Sequence, residues 1–484
     1  MPSPADPHAG SCAPGFAPSK RRACTWEVRP WLLLATLLLA SPGWAGAFLP
    51  NGLIQLRHAP FPAVCGSPPW RKLPRLQRAP HASAALAQRA QAGEGSRGGA
   101  ESKGRRDGAA ARSAYIHIPF CQQRCFYCDF PVKVVGRSPQ EGQAADTIEG
   151  YLASLHEEIR RGGGGGFDQE VLAAPLETIY LGGGTPSLLR PAQVEGVLNE
   201  LRTRFGIKPE AEITMEMDPG TFTAQDAAGF LAAGVKRVSL GVQSFHDDQL
   251  QACGRGHTVE QVRQAFEILR EAGFQDISID LISGLPGDTL DSFKESLAAA
   301  LALNPTHLSV YDLIVEEGTA FGSWYAGRVE PPKERLALPG EDLAGDMYRT
   351  ASETLSAAGF EHYEVSSYGL VPKDVISDMT PDEIHERAGA LSPHRSKHNL
   401  VYWTHTPFLA FGMGATSYIN SARLKRPPTL PTYTAWVSGG GDAKLLIGEP
   451  DLEEESDEGV GGDEAVWDEV VEVFMVGLRM RQGL

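Results

Sequence analysis

After its first quarter the chain is short of cysteine. Cys12, Cys24 and Cys65 fall in the first 112 residues, and only Cys121, Cys125, Cys128 and Cys253 follow in the other 372. Four thiols in so long a body, three of them within eight residues, do not make a disulfide framework. Nor does the trio have a fourth cysteine beside it. A tetrahedral zinc site would have to recruit another ligand, such as His117. A [4Fe-4S] cluster would keep one iron open. Basic charge is scarce as well. Residues 113–484 hold 29 Lys and Arg against 55 Asp and Glu, net −26, which makes the body a poor candidate for nucleic-acid binding, where phosphate contacts need a basic face. Long apolar runs are missing too. Residues 31–40 (WLLLATLLLA) fall well short of the ~20 that a membrane span needs, so no stable span is expected in the mature chain.

The front segment lacks acid instead. Residues 1–112 carry 15 Lys and Arg against 5 Asp and Glu, and between Phe48 and Gly93 there is no acidic residue. The apolar run stands behind basic residues and is followed by small residues up to Ala47. That order predicts a signal-peptide-like segment, 1–47, cleaved near Ala47. Residues 48–112, basic and rich in Pro, Ala and Ser, read as transit-peptide-like and disordered. The two in series resemble the two-part presequence of algae with secondary plastids. Plastid import is the expectation and the mitochondrion the alternative, because secretion would oxidise clustered thiols.

What the body does have is an alternation of strand and helix. Six β-rich apolar runs predict buried parallel strands at 115–120, 178–184, 212–219, 237–244, 276–285 and 307–315. Helical patterns stand between them at 147–160, 191–205, 258–273 and 289–303. Thr258 is a candidate cap and Gly273 a candidate stop for the third. Such βα units in series give a doubly wound sheet or a barrel. The run 162–166 (GGGGG) reads as a flexible insertion, and the acidic stretch 449–464 as a disordered linker.

In a βα barrel, ligands gather at the C-terminal ends of the strands. There the sequence puts Cys121, Cys125 and Cys128, then Gly182 to Thr185, Glu216 with Asp218, Gln243 with Arg255, and Asp280. Thiolates are soft ligands for zinc or iron–sulfur. An open iron accepts a chelate bearing an amine and a carboxylate, and S-adenosylmethionine (SAM) has both. The glycines of GGGT would let backbone approach such a ligand and offer N–H groups, although a plain tight turn needs glycine too. Strand-end solvation alone would explain any one of the polar residues; their convergence on one rim would not follow from it.

The motifs YIHIPFCQQRCFYCDF, YLGGGTPSLL, EITMEMDPGT, GVQSF, GRGH and DLISGLPG resemble the radical SAM superfamily. The resemblance extends to the branch that joins oxygen-independent coproporphyrinogen III oxidases with related heme chaperones, over about residues 113–480. It implies an α/β fold: an open (βα)6 partial TIM-type barrel over 113–335, with a smaller C-terminal extension over 336–448. It implies a [4Fe-4S] cluster on Cys121, Cys125 and Cys128. It implies SAM contacts from Tyr115, Gly183, Gly184, Thr185, Glu216, Gln243, Arg255 and Asp280, with backbone help near Ile314. The oxidases carry a further cysteine where Phe130 stands. The chaperones carry an HNxxYW motif, here His398 to Trp403. A core turn with aromatic packing would explain the motif taken alone; a neutral imidazole is a common axial ligand and aromatics suit a flat ring, so with the branch resemblance His398 is expected to contact heme. The implied function is binding heme and passing it to heme-accepting proteins. The alternative is oxidative decarboxylation of a porphyrinogen, and either needs an electron donor for the cluster. Two departures stand out: an insertion at 371–396, and residues 465–484, which read as the start of a truncated helical domain.

Overall fold

The computed structural model describes residues 110–163, 174–331, 336–377, 379–380, 383, 387–420, 422–441 and 473–482. The signal-like segment, nearly all of the transit-like segment, residues 164–166 of the glycine run and the acidic stretch lie outside the described residues.

Six parallel strands hydrogen-bond in chain order. They are β1 Ser113–Ile118, β2 Leu176–Gly183, β3 Ile207–Met217, β4 Arg237–Gln243, β5 Asp276–Ser283 and β6 His307–Asp312. The crossovers are helices α1 Gly142–Arg160, α2 Pro191–Phe205, α3 Ala224–Ala233, α4 Val259–Ala272 and α5 Leu290–Ala302. Local chemistry sets their ends. Pro191 opens α2, where a missing N–H does no harm. The Thr258 hydroxyl accepts from the Gln261 N–H at the start of α4, and Gly273 ends it at φ 103°. Thr223 and Thr289 cap α3 and α5 in the same way. Among the described residues no helix is long and apolar enough to cross a membrane.

The apolar residues of these strands lie on one face. Ile116, Leu181, Met215, Leu240, Ile279 and Leu308 point outward and share one core with helix residues such as Leu155, Leu198 and Phe230. Their neighbours point into the bore and are polar: Thr178, Tyr180, Thr214, Glu216, Ser239 and Asp280. These inward groups bond one another across strands. Tyr180 Oη donates to Glu216 Oε1 at 2.9 Å, and Ser239 Oγ to Asp280 Oδ2 at 2.6 Å. Helices cover only the outer face, so only that face needed to be apolar.

The extension is built into the same sheet. It adds α6 Glu341–Ala357, β7 Phe360–Glu364, β8 Ser367–Leu370, α7 Lys397–Trp403, β9 Leu409–Phe411 and α8 Leu430–Ser438. Strand β9 pairs parallel with β1, and β8 pairs antiparallel with β6, giving the order β9-β1-β2-β3-β4-β5-β6-β8-β7. The barrel is therefore open, with extension strands on both edges. A buried ion pair locks the seam: Arg426 Nε lies 2.9 Å from Glu158 Oε1, and both side chains are sealed from solvent. The carboxylate also accepts from the Tyr433 hydroxyl and the Gly412 N–H, both at 2.8 Å. Removing one partner of such a pair typically costs about 3–5 kcal/mol.

The insertion is anchored as well. Its Gly389, Leu391 and Ser392 N–H groups donate to the buried Glu361 carboxylate, and His394 pairs with Asp276. The described part of the last segment, 473–482, does not leave the body. Val365 N–H donates to the Arg479 carbonyl and Arg481 N–H to the Tyr363 carbonyl. The Arg479 guanidinium lies 4.2 Å from the Trp403 ring centre. Residues 473–482 thus lie along the edge beside β7.

Candidate cofactor site

The site stands at the C-terminal ends of β1 to β5. Past β1 the chain makes a closed excursion, because Lys133 N–H returns to the Pro119 carbonyl at 2.7 Å and Val135 N–H to the Cys121 carbonyl at 2.9 Å. Cys121, Cys125 and Cys128 sit on this loop as free, half-buried thiols. Phe126 and Tyr127 between them turn into an apolar nest with Cys253, Leu285, Phe321 and Trp324. Burial pushes the Cys121 thiol up to about 12 and Cys128 up to about 11. Only a strongly cationic partner would hold both as thiolates. Among the described residues no three His, Cys, Asp or Glu side chains are gathered closely enough to hold a single ion. His117 cannot complete a zinc site with these thiols in this arrangement. Its Nε2 is 3.0 Å from the Pro131 carbonyl and its Nδ1 3.1 Å from Tyr115 Oη.

The GGGT turn corrects one expectation. Its N–H groups are spent inside the protein: Gly183 on Glu216 Oε2 at 2.9 Å, Gly184 on the Ile118 carbonyl, Thr185 on the Phe120 carbonyl. Its glycines are required by packing. At Gly183, φ is +111° and a Cβ would meet the His117 ring at 2.4 Å; at Gly184 it would meet the Phe120 oxygen at 2.7 Å. A turn with spent N–H groups can still offer carbonyl oxygens, which suit an ammonium and not a carboxylate.

Arg255 ties the rim together. Its Nη2 donates to Asp218 Oδ1 at 2.5 Å and to the Gly241 carbonyl at 2.7 Å, while Nη1 reaches Cys125 Sγ at 3.5 Å. Its buried Nε has no partner among the described residues. Thr185 Oγ1 reaches Cys121 Sγ at 3.6 Å and Asp218 Oδ2 at 3.4 Å. Gln243 ends β4 at φ 68°, a strained conformation for a non-glycine residue, beside Arg255. Burial raises Glu216 to about 7, against the opposing pull of the Gly183 N–H and the Tyr180 hydroxyl. Burial raises Asp280 as well. Ile314 lies half-buried in the loop after β6. The structure therefore gathers Tyr115, Gly183, Gly184, Thr185, Glu216, Gln243 and Arg255 with the cysteine loop, and sets Asp280 deeper in the bore. Asp218 and Tyr180 were not among the expected ligands. Tyr180 could have been found from the two-residue alternation Thr178, Tyr180, Gly182 on one face of β2.

His398 lies inside the fold. It is fully buried, with Nδ1 2.8 Å from Thr178 Oγ1 and Nε2 2.9 Å from Tyr402 Oη. Its ring stacks on Tyr180 at 5.3 Å. Burial lowers its pKa to about 3, so the ring is neutral, but neither nitrogen is free to take an iron. In this arrangement both ring nitrogens are engaged within the protein. Close by, at the N-terminal end of the bore, Arg237 Nη2, Thr214 Oγ1 and Asn399 Oδ1 line one polar cavity, all buried and unpartnered among the described residues. Its volume, ≈ 10 Å³, is about that of one water.

An open six-unit barrel with a three-cysteine loop and this polar rim is the architecture of a radical SAM protein. Residues 115–300 match the radical SAM superfamily model. The chain is 40% identical to the heme chaperone HemW of Synechocystis over 67% of this chain and 70% of that protein. With HemW of Escherichia coli the identity is 34%, over 63% and 69%. A mouse relative, radical S-adenosyl methionine domain-containing protein 1, mitochondrial, is 32% identical over 64% and 61%. Among solved structures, the coproporphyrinogen III oxidase HemN of Escherichia coli aligns with a TM-score of 0.55 and 25% identity, over 70% of this chain and 71% of that one. The chain belongs to the HemW-type branch of the radical SAM superfamily. Membership of that superfamily implies a [4Fe-4S] cluster and SAM.

Proposed function

We propose that the protein is a radical SAM heme chaperone, which binds heme and passes it to acceptor proteins. The observation that carries this reading is its likeness to HemW over 70% of that protein's length. Phe130, in place of the further cysteine of the oxidase branch, supports it. Cys121, Cys125 and Cys128 hold the [4Fe-4S] cluster. Tyr115, Gly183, Gly184, Thr185, Glu216, Gln243 and Arg255 hold SAM, with Asp280 on its deeper side and backbone help near Ile314.

The residues present fit these groups. Three free thiols share one pinned loop, and an arginine with an unspent Nε stands against them. When bound, cluster and SAM supply reductive one-electron chemistry at the sulfonium. The chain's own part is electrostatic. Arg255 sets a fixed positive charge beside Cys125, and Asp218 fixes that guanidinium. Glu216, poised near neutrality, can accept from an ammonium once ionised. A donor must reduce the cluster from outside.

The test is a titration of heme into the whole chain, reconstituted with iron and sulfide without oxygen and followed at the Soret band. Saturable binding, and loss of heme to an apo-acceptor, is expected. Absence of binding sinks the chaperone reading. The second reading, porphyrinogen decarboxylation, draws support from the likeness to HemN; release of carbon dioxide from coproporphyrinogen III would establish it. For location, the basic front segment supports plastid import. A fluorescent fusion of residues 1–112 should enter plastids, and retention in the secretory pathway or mitochondrial import would overturn this.

A further inference from the structure

The HNLVYW segment carries chemistry that the proposed function leaves unused. Helix α7 docks under the bore with Ser396 accepting from the Asn399 N–H and the His398 N–H donating to Glu212 Oε1 at 3.1 Å. Its His398 ring stacks on Tyr180 at 5.3 Å and 26°, and Tyr180 stacks on Tyr115 at 6.2 Å and 23°. Tyr402 closes the column edge-on to His398. The column is held at its lower end by the Thr178 and Tyr402 hydroxyls, one on each imidazole nitrogen.

At its upper end the column meets the rim twice. Tyr180 Oη donates to Glu216, whose other oxygen accepts the Gly183 N–H. Tyr115 Oη bonds His117, whose far nitrogen bonds the Pro131 carbonyl at the close of the cysteine loop. Each of these side chains is fixed by the one below it. Two hydrogen bonds and a stacked ring hold the imidazole in one orientation, and that orientation holds the Tyr180 ring.

We propose that His398 is a positioning residue. The HNLVYW helix sets the SAM-binding rim through the stack His398–Tyr180–Tyr115, and His398 does not ligate heme. This rests on the reading that the rim holds SAM. Outer residues that orient ligating groups typically carry a 10–100-fold effect on affinity. Without the imidazole the Tyr180 ring loses its support, Glu216 loses a fixed donor, and water enters beneath it.

The test uses the whole chain, reconstituted and anaerobic, as wild type, His398→Ala, His398→Gln and Tyr180→Phe. SAM affinity, the shift that SAM causes in the EPR spectrum of the reduced cluster, and heme affinity are each measured. His398→Ala should weaken SAM roughly 10-fold, with heme binding and iron content unchanged. His398→Gln, which can still bond Thr178 and Tyr402, should recover part of the loss. Tyr180→Phe keeps the ring and loses only the hydroxyl on Glu216, so it tests the relay even if His398→Ala fails to fold. Unchanged SAM affinity in Tyr180→Phe, or weaker heme with unchanged SAM in His398→Ala, overturns the proposal.

A further readout does not depend on SAM. Infrared titration of Glu216, which is faced by Tyr180, Asp218 and Asp280, should move roughly one pH unit lower in His398→Ala as water enters. If the wild type binds no SAM, the cofactor reading fails, and this titration alone decides whether His398 controls Glu216. No movement there sinks the relay.

Discussion

The two ends of the bore are built from the same kinds of residue and differ in what those residues have left to give. At the N-terminal end, His398 is fully buried with both ring nitrogens bonded, and its nearest partners are themselves bonded. At the C-terminal end, the thiols are free and half-buried, and Arg255 keeps an unspent Nε. Buried polar groups must be satisfied inside the protein or by something that binds. The floor also leaves Arg237 Nη2, Thr214 Oγ1 and Asn399 Oδ1 unpartnered among the described residues, but around a space of only ≈ 10 Å³, about one water. The rim sets three free thiols beside an unspent guanidinium N–H, and that combination marks the end where a larger ligand belongs.

The comparison can be broken by substitution, because rim residues should act on the cofactor directly and floor residues through stability or through the stack beneath the rim. The largest effect is expected from Cys121→Ala, Cys125→Ala or Cys128→Ala, which should reduce reconstituted cluster iron to near background with the melting temperature unchanged. Iron and sulfide analysis beside a thermal melt checks this, and a full cluster in any single variant would move the ligand set elsewhere. Next, Glu158→Ala at the seam between barrel and extension leaves the buried Arg426 unpaired and should destabilise by about 3–5 kcal/mol in urea unfolding.

A smaller effect sharpens the contrast through pH. Glu216 is raised to about 7 in the fold, above the ordinary 4.5, so the folded state holds a proton that the unfolded state has lost between those values. Stability from this group is present below pH ~4.5 and is lost as pH rises toward ~7. Glu216→Gln removes that dependence. Its stability should fall less between pH 5 and 7 than the wild type's, by on the order of 1–3 kcal/mol, read from unfolding at each pH. An identical slope in both proteins would mean that Glu216 is ionised at lower pH. The smallest effect is expected of Arg255→Lys, which keeps the charge and loses the planar fork between Asp218 and Gly241. It should weaken SAM several-fold, by about 1 kcal/mol, with stability held; a loss as large as that from a cysteine variant would make Arg255 part of cluster assembly.

Much of the barrel was legible because its signals are local. Thr258, Gly273 and Pro191 mark helix ends by capping chemistry that spans a single turn. The strands were found from their apolar runs, although their polar face was not. Thr178, Tyr180 and Gly182 alternate with Ile179 and Leu181, but an isolated strand does not say whether its polar side meets water or a bore. The GGGT turn was legible as a special backbone, but the groups that crowd it were not. Its glycines make way for His117 and the Phe120 carbonyl, residues more than sixty positions earlier.

By itself, the sequence determined the three-cysteine loop, the order of βα units and the family, because ligand spacing, caps and hydrophobic runs act over a few residues. Only the tertiary structure decided what His398 is. Its partner Thr178 lies 220 residues away, and a histidine beside tyrosine and tryptophan reads alike whether its ring nitrogens are offered outward or spent within. The same holds for the extension, whose strand β9 joins β1 across nearly three hundred residues to complete one edge of the sheet. Hydrogen-bond valence is settled by which groups meet in space, and the chain order does not carry that information.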